Sequence, residues 1–373
     1  MRVIILGTAW PYRGGLAAFN ERLARQFMAE GHEVEILTFT MQYPNFLFPG
    51  KTQYSDDPQP KDLKITRVMN SINPISWLHT GRLIQRKRAD LLVIKFWIPL
   101  MAPCLGTIAR IARKGGTKVV SVLDNVIPHE PHFWDKWFIR YFVGSVDRFV
   151  AMSDSVRTDC QKFIRKRNPQ PITLCPHPLY DNFGAPLPKN EARRQLGIDP
   201  NAICLLFFGF IRDYKGLDLL INAYADPRFK GKKVQLVVAG EFYNNGAQYT
   251  ELEQHLGLQG RIAWHTNFIP DDQVRMYFSA ADLIVQPYKT ATQSGVTQIA
   301  YHFCKPMLVT NVGGLAEIVP DGKAGYVTAV EPKAIADAMI DFCERGDVEC
   351  FRAGIEEEKQ KYAWSRMTGA IMN

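Results

Sequence analysis

Apolar residues in this chain come in short unbroken runs, separated by longer segments in which they recur every three or four positions. In the first half, RVIILG (2–7), EVEILTF (33–39), LKIT (63–66), DLLVIKF (90–96), KVVSVL (118–123) and DRFVAM (147–152) read as strands. LAAFNERLARQFMAE (16–30) and MAPCLGTIARIARK (101–114) between them have helical spacing. A second series follows: AICLLFFGF (202–210), KVQLVVAG (233–240), RIAWH (261–265), DLIVQPY (282–288), PMLVTN (306–311) and GYVTAV (325–330). Helical spacing returns in DQVRMYFSAA (272–281) and PKAIADAMIDFCER (332–345). Strands apolar on both faces and alternating with helices imply parallel sheets covered on both sides. The expected fold class is α/β, with two Rossmann-like domains in tandem.

The alternation breaks at CPHPLYDNFGAPLPKN (175–190), which sets the expected boundary at 177/178. The second domain is expected over 178–354, and FRAGIEEEKQKYAWSRMTGAIMN (351–373) to form one or two helices. QYPNFLFPGKTQYSDDPQPKD (42–62) is the longest irregular piece. A length of 373 residues suits two domains, at roughly 150–190 residues each. No run of ~18 apolar residues occurs, and the chain starts directly on a strand pattern, so neither a signal peptide nor a membrane span is expected.

Charge changes the picture more than composition does. Residues 1–177 hold 25 Lys and Arg against 14 Asp and Glu, whereas residues 178–373 hold 20 against 23. The basic first half suggests an acidic counterpart: nucleic acid, an anionic membrane surface or a phosphorylated substrate. A merely solvated basic surface is the alternative. The seven cysteines are scattered without a C-x-x-C pair, which fits reduced thiols in a cytoplasmic protein better than disulfides or a zinc site.

In doubly wound sheets ligands sit beyond the carboxyl ends of strands, so the segments just after each strand carry the candidate chemistry. Three stand out. In GTAWPYRGGLAAFNERLA (7–24), Gly14 and Gly15 precede a helix, where backbone amides can approach an anion; the spacing is not that of a dinucleotide loop. In LLFFGFIRDYKGLDLLINAY (205–224), Arg212 and Lys215 flank a helix start at Gly216, an arrangement suited to a diphosphate. In ATQSGVTQIAYHF (291–303), Ser294, Gly295, Val296 and Thr297 open a helix, offering amides without any charged side chain. Thr292 or Ser294 is expected to cap that helix or to donate to phosphate.

Taken together, FFGFIRDYKGLDLLINA, VVAGE, FIPDDQVRMYFSAADLIVQPY, SGVTQIAYHFCKPMLVT and NVGGLAEIVPDGKAGYV resemble the donor domain of retaining glycosyltransferases of family 4, over roughly residues 203–345. PYRGGLAAFNERLA matches that family's glycine loop in the first half. The resemblance implies a GT-B fold, two Rossmann-like domains facing across a cleft, with the last helix, 355–373, crossing back to the first domain, where Trp364 helps to lock the halves. It assigns Arg212 and Lys215 to the diphosphate of a UDP- or GDP-linked sugar. Gly209 would lie against the nucleotide, Asn267, Phe268, Ile269 and Pro270 would edge the base, and Gly14 and Gly15 would approach from across the cleft. No metal or other cofactor is implied, and no nucleic acid.

The departures are equally specific. Many relatives carry a spaced pair of glutamates near the sugar and the ribose; counting back from Pro306, those positions here are Ala291 and Ile299. Ribose recognition then falls to Gln298 or Glu241, and the sugar contact to Gln293. A histidine frequent in the family aligns with Leu123, leaving Asp124, Asn125, His129 and Glu130 as the polar groups of that loop. His129 either acts on the sugar or acceptor, or makes a local structural contact. Asn125 and Glu130 are the expected acceptor-side groups, and Asp124 a loop or helix cap. The implied function is transfer of a sugar to a glycan or lipid-linked acceptor, in the cytoplasm or at the inner face of a membrane. GRLIQRKR (81–88) with Arg110, Arg113 and Lys114, beside FWIPLMAP (96–103), is the expected membrane contact, with cations that merely decorate helix C-termini as the alternative. A non-catalytic nucleotide or carbohydrate binder and a GT-B enzyme of other chemistry, epimerase or phosphorylase, stay open.

Overall fold

The computed structural model describes residues 1–43, 53–55, 58–128, 132–165, 167, 169–243, 246–291, 294–345 and 348–373. The chain divides into two compact units, Met1–His177 with Trp364–Asn373, and Pro178–Ala363. Residues 355–363 therefore belong to the second unit, and the segment that returns to the first begins at Trp364.

The first unit is built on β1 (Arg2–Leu6), β2 (Glu33–Met41), β3 (Ile65–Asn70), β4 (Leu91–Phe96), β5 (Lys118–Leu123), β6 (Arg148–Ala151) and β7 (Ile172–Leu174). All pair in parallel, in the order β3-β2-β1-β4-β5-β6-β7. Alternate strand residues feed two cores. Ile4, Leu92 and Ile94 meet Ile84, Leu105, Ile108 and Phe142 from the helices Pro74–Arg86, Ala102–Lys114 and Asp135–Val143. Val3, Val93, Val120 and Val122 meet Phe19, Leu23 and Phe27 of the helix Gly15–Ala29, and Met367 and Ile371 of the helix Trp364–Met372.

The apolar pattern misplaced elements only at the sheet's edges. β3 runs over Ile65–Asn70 rather than 63–66, and the three residues of β7 were not anticipated. Edge strands are covered on fewer sides, so Thr66 and Arg67 in β3 interrupt the run that a central strand would keep apolar.

The second unit repeats the plan with β8 (Ile203–Phe208), β9 (Val234–Ala239), β10 (Ile262–His265), β11 (Leu283–Gln286), β12 (Met307–Thr310) and β13 (Gly325–Thr328). These are parallel in the order β10-β9-β8-β11-β12-β13 around one continuous core. The helix Lys189–Leu196 that enters the unit is tied to the start of β11 by charge. Buried Arg193 reaches Asp282 at 2.5 Å and the carbonyls of Ala280, Pro200 and Ala202, while Lys189 takes the other Asp282 oxygen at 2.5 Å. In each sheet the winding reverses between two strands, β1 and β4 in the first and β8 and β11 in the second. Their carboxyl ends are the places where a doubly wound sheet opens a crevice. Among the described residues, no helix is long and apolar enough to cross a membrane.

Candidate functional site

The loops that follow β8 and β11 lock together through glycine. Gly216 has φ +66, and a Cβ there would stand 2.0 Å from the carbonyl oxygen of Pro287. Only the missing side chain lets the Gly209–Gly216 loop close over the end of β11. The amide of Lys289 donates to the carbonyl of Tyr214 at 2.7 Å, and the rings of Tyr214 and Tyr288 meet edge to face. The loop is thus held at Tyr214, inside its short helical turn Asp213–Lys215, and at Gly216 just after it.

That closure buries Lys215, which is only 9% exposed. Its ammonium lies 3.2 Å from where a Cβ on Gly209 would be, and the same point is 3.8 Å from a methyl of Val296, so all three converge. Gly209 itself has φ +97. Burial pushes the Lys215 ammonium down to about 8, and the Arg212 cation adds to the shift. Neither cation has a carboxylate partner among the described residues. Asp213, in the same loop, instead accepts from Gln248 at 3.2 Å and from the Tyr249 hydroxyl at 3.3 Å. Arg212 is exposed and stacks over the Tyr243 ring at 4.0 Å. Two like charges, one of them buried, therefore face the same crevice without a counter-ion. Such a pair suits an anion supplied from outside.

The third arm is the helix Gly295–His302. Ser294 is its cap: its Oγ accepts from the Val296 amide at 3.2 Å and donates to Oε1 of Gln286 at 2.6 Å. The Thr297 hydroxyl donates to the Ser294 carbonyl at 2.5 Å. The Ser294 and Thr297 hydroxyls and the Val296 amide thus serve the local fold, and the helix offers an anion its dipole with the amides of Gly295 and Thr297. Gln298 points inward, and its Oε1 is buried without a partner among the described residues, as is Nε2 of Gln286. Ile299 is buried in the core and Ala291 packs against it. Thr292 and Gln293 lie outside the described residues.

Around this centre, Glu241 follows β9 with an exposed side chain, and its carbonyl accepts from the Ile211 amide at 2.8 Å. That bond sets Glu241 beside the loop of Arg212. Phe268 stands out in solvent, while Ile269 packs against the core. Asp271 and Asp272 open the helix Asp271–Ala280.

In the first unit, Gly14 (φ +103) is the N-cap of the helix Gly15–Ala29, with no side-chain cap and open space around it. Asn125 is exposed after β5. Asp124, expected as a cap, pairs instead with Lys95 at 3.1 Å; burial lowers the proton affinity of this ammonium, which also lies 3.2 Å from the centre of the Phe19 ring. His129 and Glu130 lie outside the described residues. Sequence reasoning did not single out Tyr243, Tyr288, Gln286 or Lys95. A signal existed for the last two, because a lysine in DLLVIKF and a glutamine in DLIVQPY interrupt strands that are otherwise apolar.

Two family models match this chain in tandem: "Glycosyltransferase Family 4" over residues 13–179 and "Glycosyl transferases group 1" over residues 188–360. With two doubly wound units and this pair of matches, the chain belongs to the glycosyltransferases of GT-B fold described by these models. Among relatives, a protein named D-inositol 3-phosphate glycosyltransferase 2 from Catenulispora acidiphila is 29% identical over 61% of this chain and 55% of its own length. A D-inositol 3-phosphate glycosyltransferase from Actinosynnema mirum is 28% identical over 62% and 57% respectively. The match thus spans little more than half the length of these relatives. Solved structures agree on the fold. A glycosyltransferase from Rickettsia africae superposes with a TM-score of 0.71 at 16% identity, covering 99% of this chain and 96% of the other. HepE from Anabaena, in complex with UDP, gives 0.69 at 17%, covering 100% and 98%.

Proposed function

We propose that this protein transfers a sugar from a nucleoside-diphosphate sugar, UDP- or GDP-linked, to a hydroxyl of a glycan or lipid-linked acceptor, with retention of anomeric configuration. The observation that carries the reading is Lys215, a buried ammonium without a counter-ion among the described residues, placed with Arg212 and the first turn of Gly295–His302 at the switch point of the second sheet. The relatives' names support glycosyl transfer, and the UDP in the HepE structure supports a nucleoside-diphosphate donor.

In this reading the bond from the anomeric carbon to the diphosphate breaks, and its electron pair leaves on the phosphate oxygen. Lys215, Arg212 and the amides of Gly295 and Thr297 stabilise that growing charge, an effect worth ~10²–10³ in rate for a single well-placed donor. The acceptor oxygen bonds to the anomeric carbon from the same face, and its proton passes to the departing phosphate oxygen. The chemistry needs no metal. With hydrocarbon at Ala291 and Ile299, Glu241 is the carboxylate left to meet the ribose, and Phe268 with Ile269 edges the base. Gly14 and Gly15 supply the anion-facing amides of the first unit.

Proton NMR of the glycosidic linkage formed from an α-linked donor tests retention; a β-linked product would refute it. A protein that binds nucleotide sugars without turning them over is the second reading, favoured by the hydrocarbon at Ala291 and Ile299. Binding of UDP without release of UDP from any donor, with myo-inositol phosphate and lipid-linked sugars offered as acceptors, would establish it.

A further inference from the structure

Three neighbouring helices of the first unit share a surface that neither fold nor donor site explains. Pro74–Arg86, Ala102–Lys114 and Asp135–Val143 lie side by side on one face of the sheet. Gly81 packs on Ile111, Gln85 donates to the Ile111 carbonyl, and Arg110 donates to the Tyr141 carbonyl. Each helix follows a parallel strand, so all three begin at the carboxyl end of the sheet and run back.

Their beginnings are exposed and apolar. Ile75 is 76% exposed, Phe133 77% and Trp137 64%, and Ile72, Leu78, Leu100 and Trp134 are also open to solvent. Side-by-side packing at 8–10 Å per helix makes this a rim roughly 20 Å long. Their bodies are cationic: the three helices carry Arg82, Arg86, Arg110, Arg113, Lys114, Lys136 and Arg140, and a single acid, Asp135. Asp135 is buried and caps the turn before it by accepting from the His132 amide at 2.7 Å. Solubility would call for mixed signs, and dipole compensation would account only for the last turn. Arg113 is paired with Asp147 at 2.7 Å, but Arg82, Arg110 and Lys136 lie outside the last turns. An apolar, tryptophan-bearing rim backed by a strong excess of positive charge matches the depth profile of a lipid surface.

We propose that this helix layer docks on an anionic bilayer, with Ile75, Phe133 and Trp137 entering the acyl boundary and the cations engaging lipid phosphates. At 1.5 Å per residue, Arg140 and Arg82 stand roughly 5–10 Å behind the rim, at headgroup depth. The rim lies at the carboxyl end of the first sheet, the end at which Asn125 follows β5, so a lipid-linked acceptor would be delivered to that end of the unit. That last point rests on the transferase reading; the docking itself does not.

Flotation with vesicles of phosphatidylcholine alone, and with a quarter of it replaced by phosphatidylglycerol, tests the proposal on the full chain. Binding is expected only with the anionic lipid and is expected to weaken between about 0.1 M and 0.5 M salt. Phe133→Ser and Trp137→Ser should each reduce it roughly 10- to 100-fold, and Arg82→Glu with Arg140→Glu should abolish it. Failure to float with anionic vesicles at low salt, or equal flotation of the serine variants, overturns the proposal. So does burial of the rim in a dimer that does not float. UDP release in detergent, measured on the same variants, should be unchanged; its absence in the wild type would count against the transferase reading and leave the docking result standing.

Discussion

Replacing Lys215 with methionine should stabilise the second unit and remove turnover at the same time. The ammonium has an ordinary value of 10.5 and is held at about 8 in the fold, so keeping it charged and buried at pH 7 costs about 3 kcal/mol. Methionine fills a similar volume without that penalty. Allowing for imperfect packing, a gain of ~1–3 kcal/mol is expected, or a rise of a few degrees in Tm for a unit of this size. The folded state holds the proton less tightly than the unfolded one. The wild type's deficit is therefore full below pH 8 and fades as pH rises from 8 towards 10.5. Calorimetry at pH 7 and pH 9.5 should show the gap between variant and wild type narrowing. Release of nucleoside diphosphate should fall by ~10²–10³. A variant less stable than the wild type by more than ~1 kcal/mol, or one with near-normal turnover, would refute the view that Lys215 is an uncompensated cation kept for an anionic substrate.

Arg212→Ala should reduce turnover by a similar ~10²–10³ while leaving Tm within about a degree, because its only described partner is the exposed ring of Tyr243; thermal melts and product release read both. Gly216→Ala should cost more than ~2 kcal/mol, since a Cβ at φ +66 would meet the Pro287 oxygen at 2.0 Å, and denaturant titration should show a lowered midpoint. UDP affinity should decline as pH rises through 8, where free Lys215 loses its charge, and titration calorimetry should detect proton uptake on binding near that pH. Turnover after exhaustive chelation should match the untreated protein, and loss restored by a divalent cation would contradict the proposed chemistry.

Much of the architecture was legible because parallel strands buried on both faces must be apolar throughout, as RVIILG and KVQLVVAG are. What escaped was set by tertiary position: the edge strands β3 and β7, and the pairing of Asp124 with Lys95, whose partners lie far apart in the chain. Sequence places Arg212 and Lys215 together in one loop after a strand, but their different states could not be read from it. One is exposed and stacked on Tyr243; the other is buried by the contact of Gly216 with Pro287. The opening of ATQSGVTQIAYHF was correctly located as a helix start, yet spacing could not reveal that Gln286 would take the Ser294 hydroxyl.

The proposed transfer requires a nucleoside-diphosphate sugar bound at Lys215. The most direct measurement is nucleoside-diphosphate release from a panel of UDP-, GDP- and ADP-sugars, wild type beside Lys215→Met. Release from at least one UDP- or GDP-sugar by the wild type, and its loss by two orders of magnitude in the variant, is the predicted result. Equal release by both proteins, or no binding and no release with any donor, would contradict it.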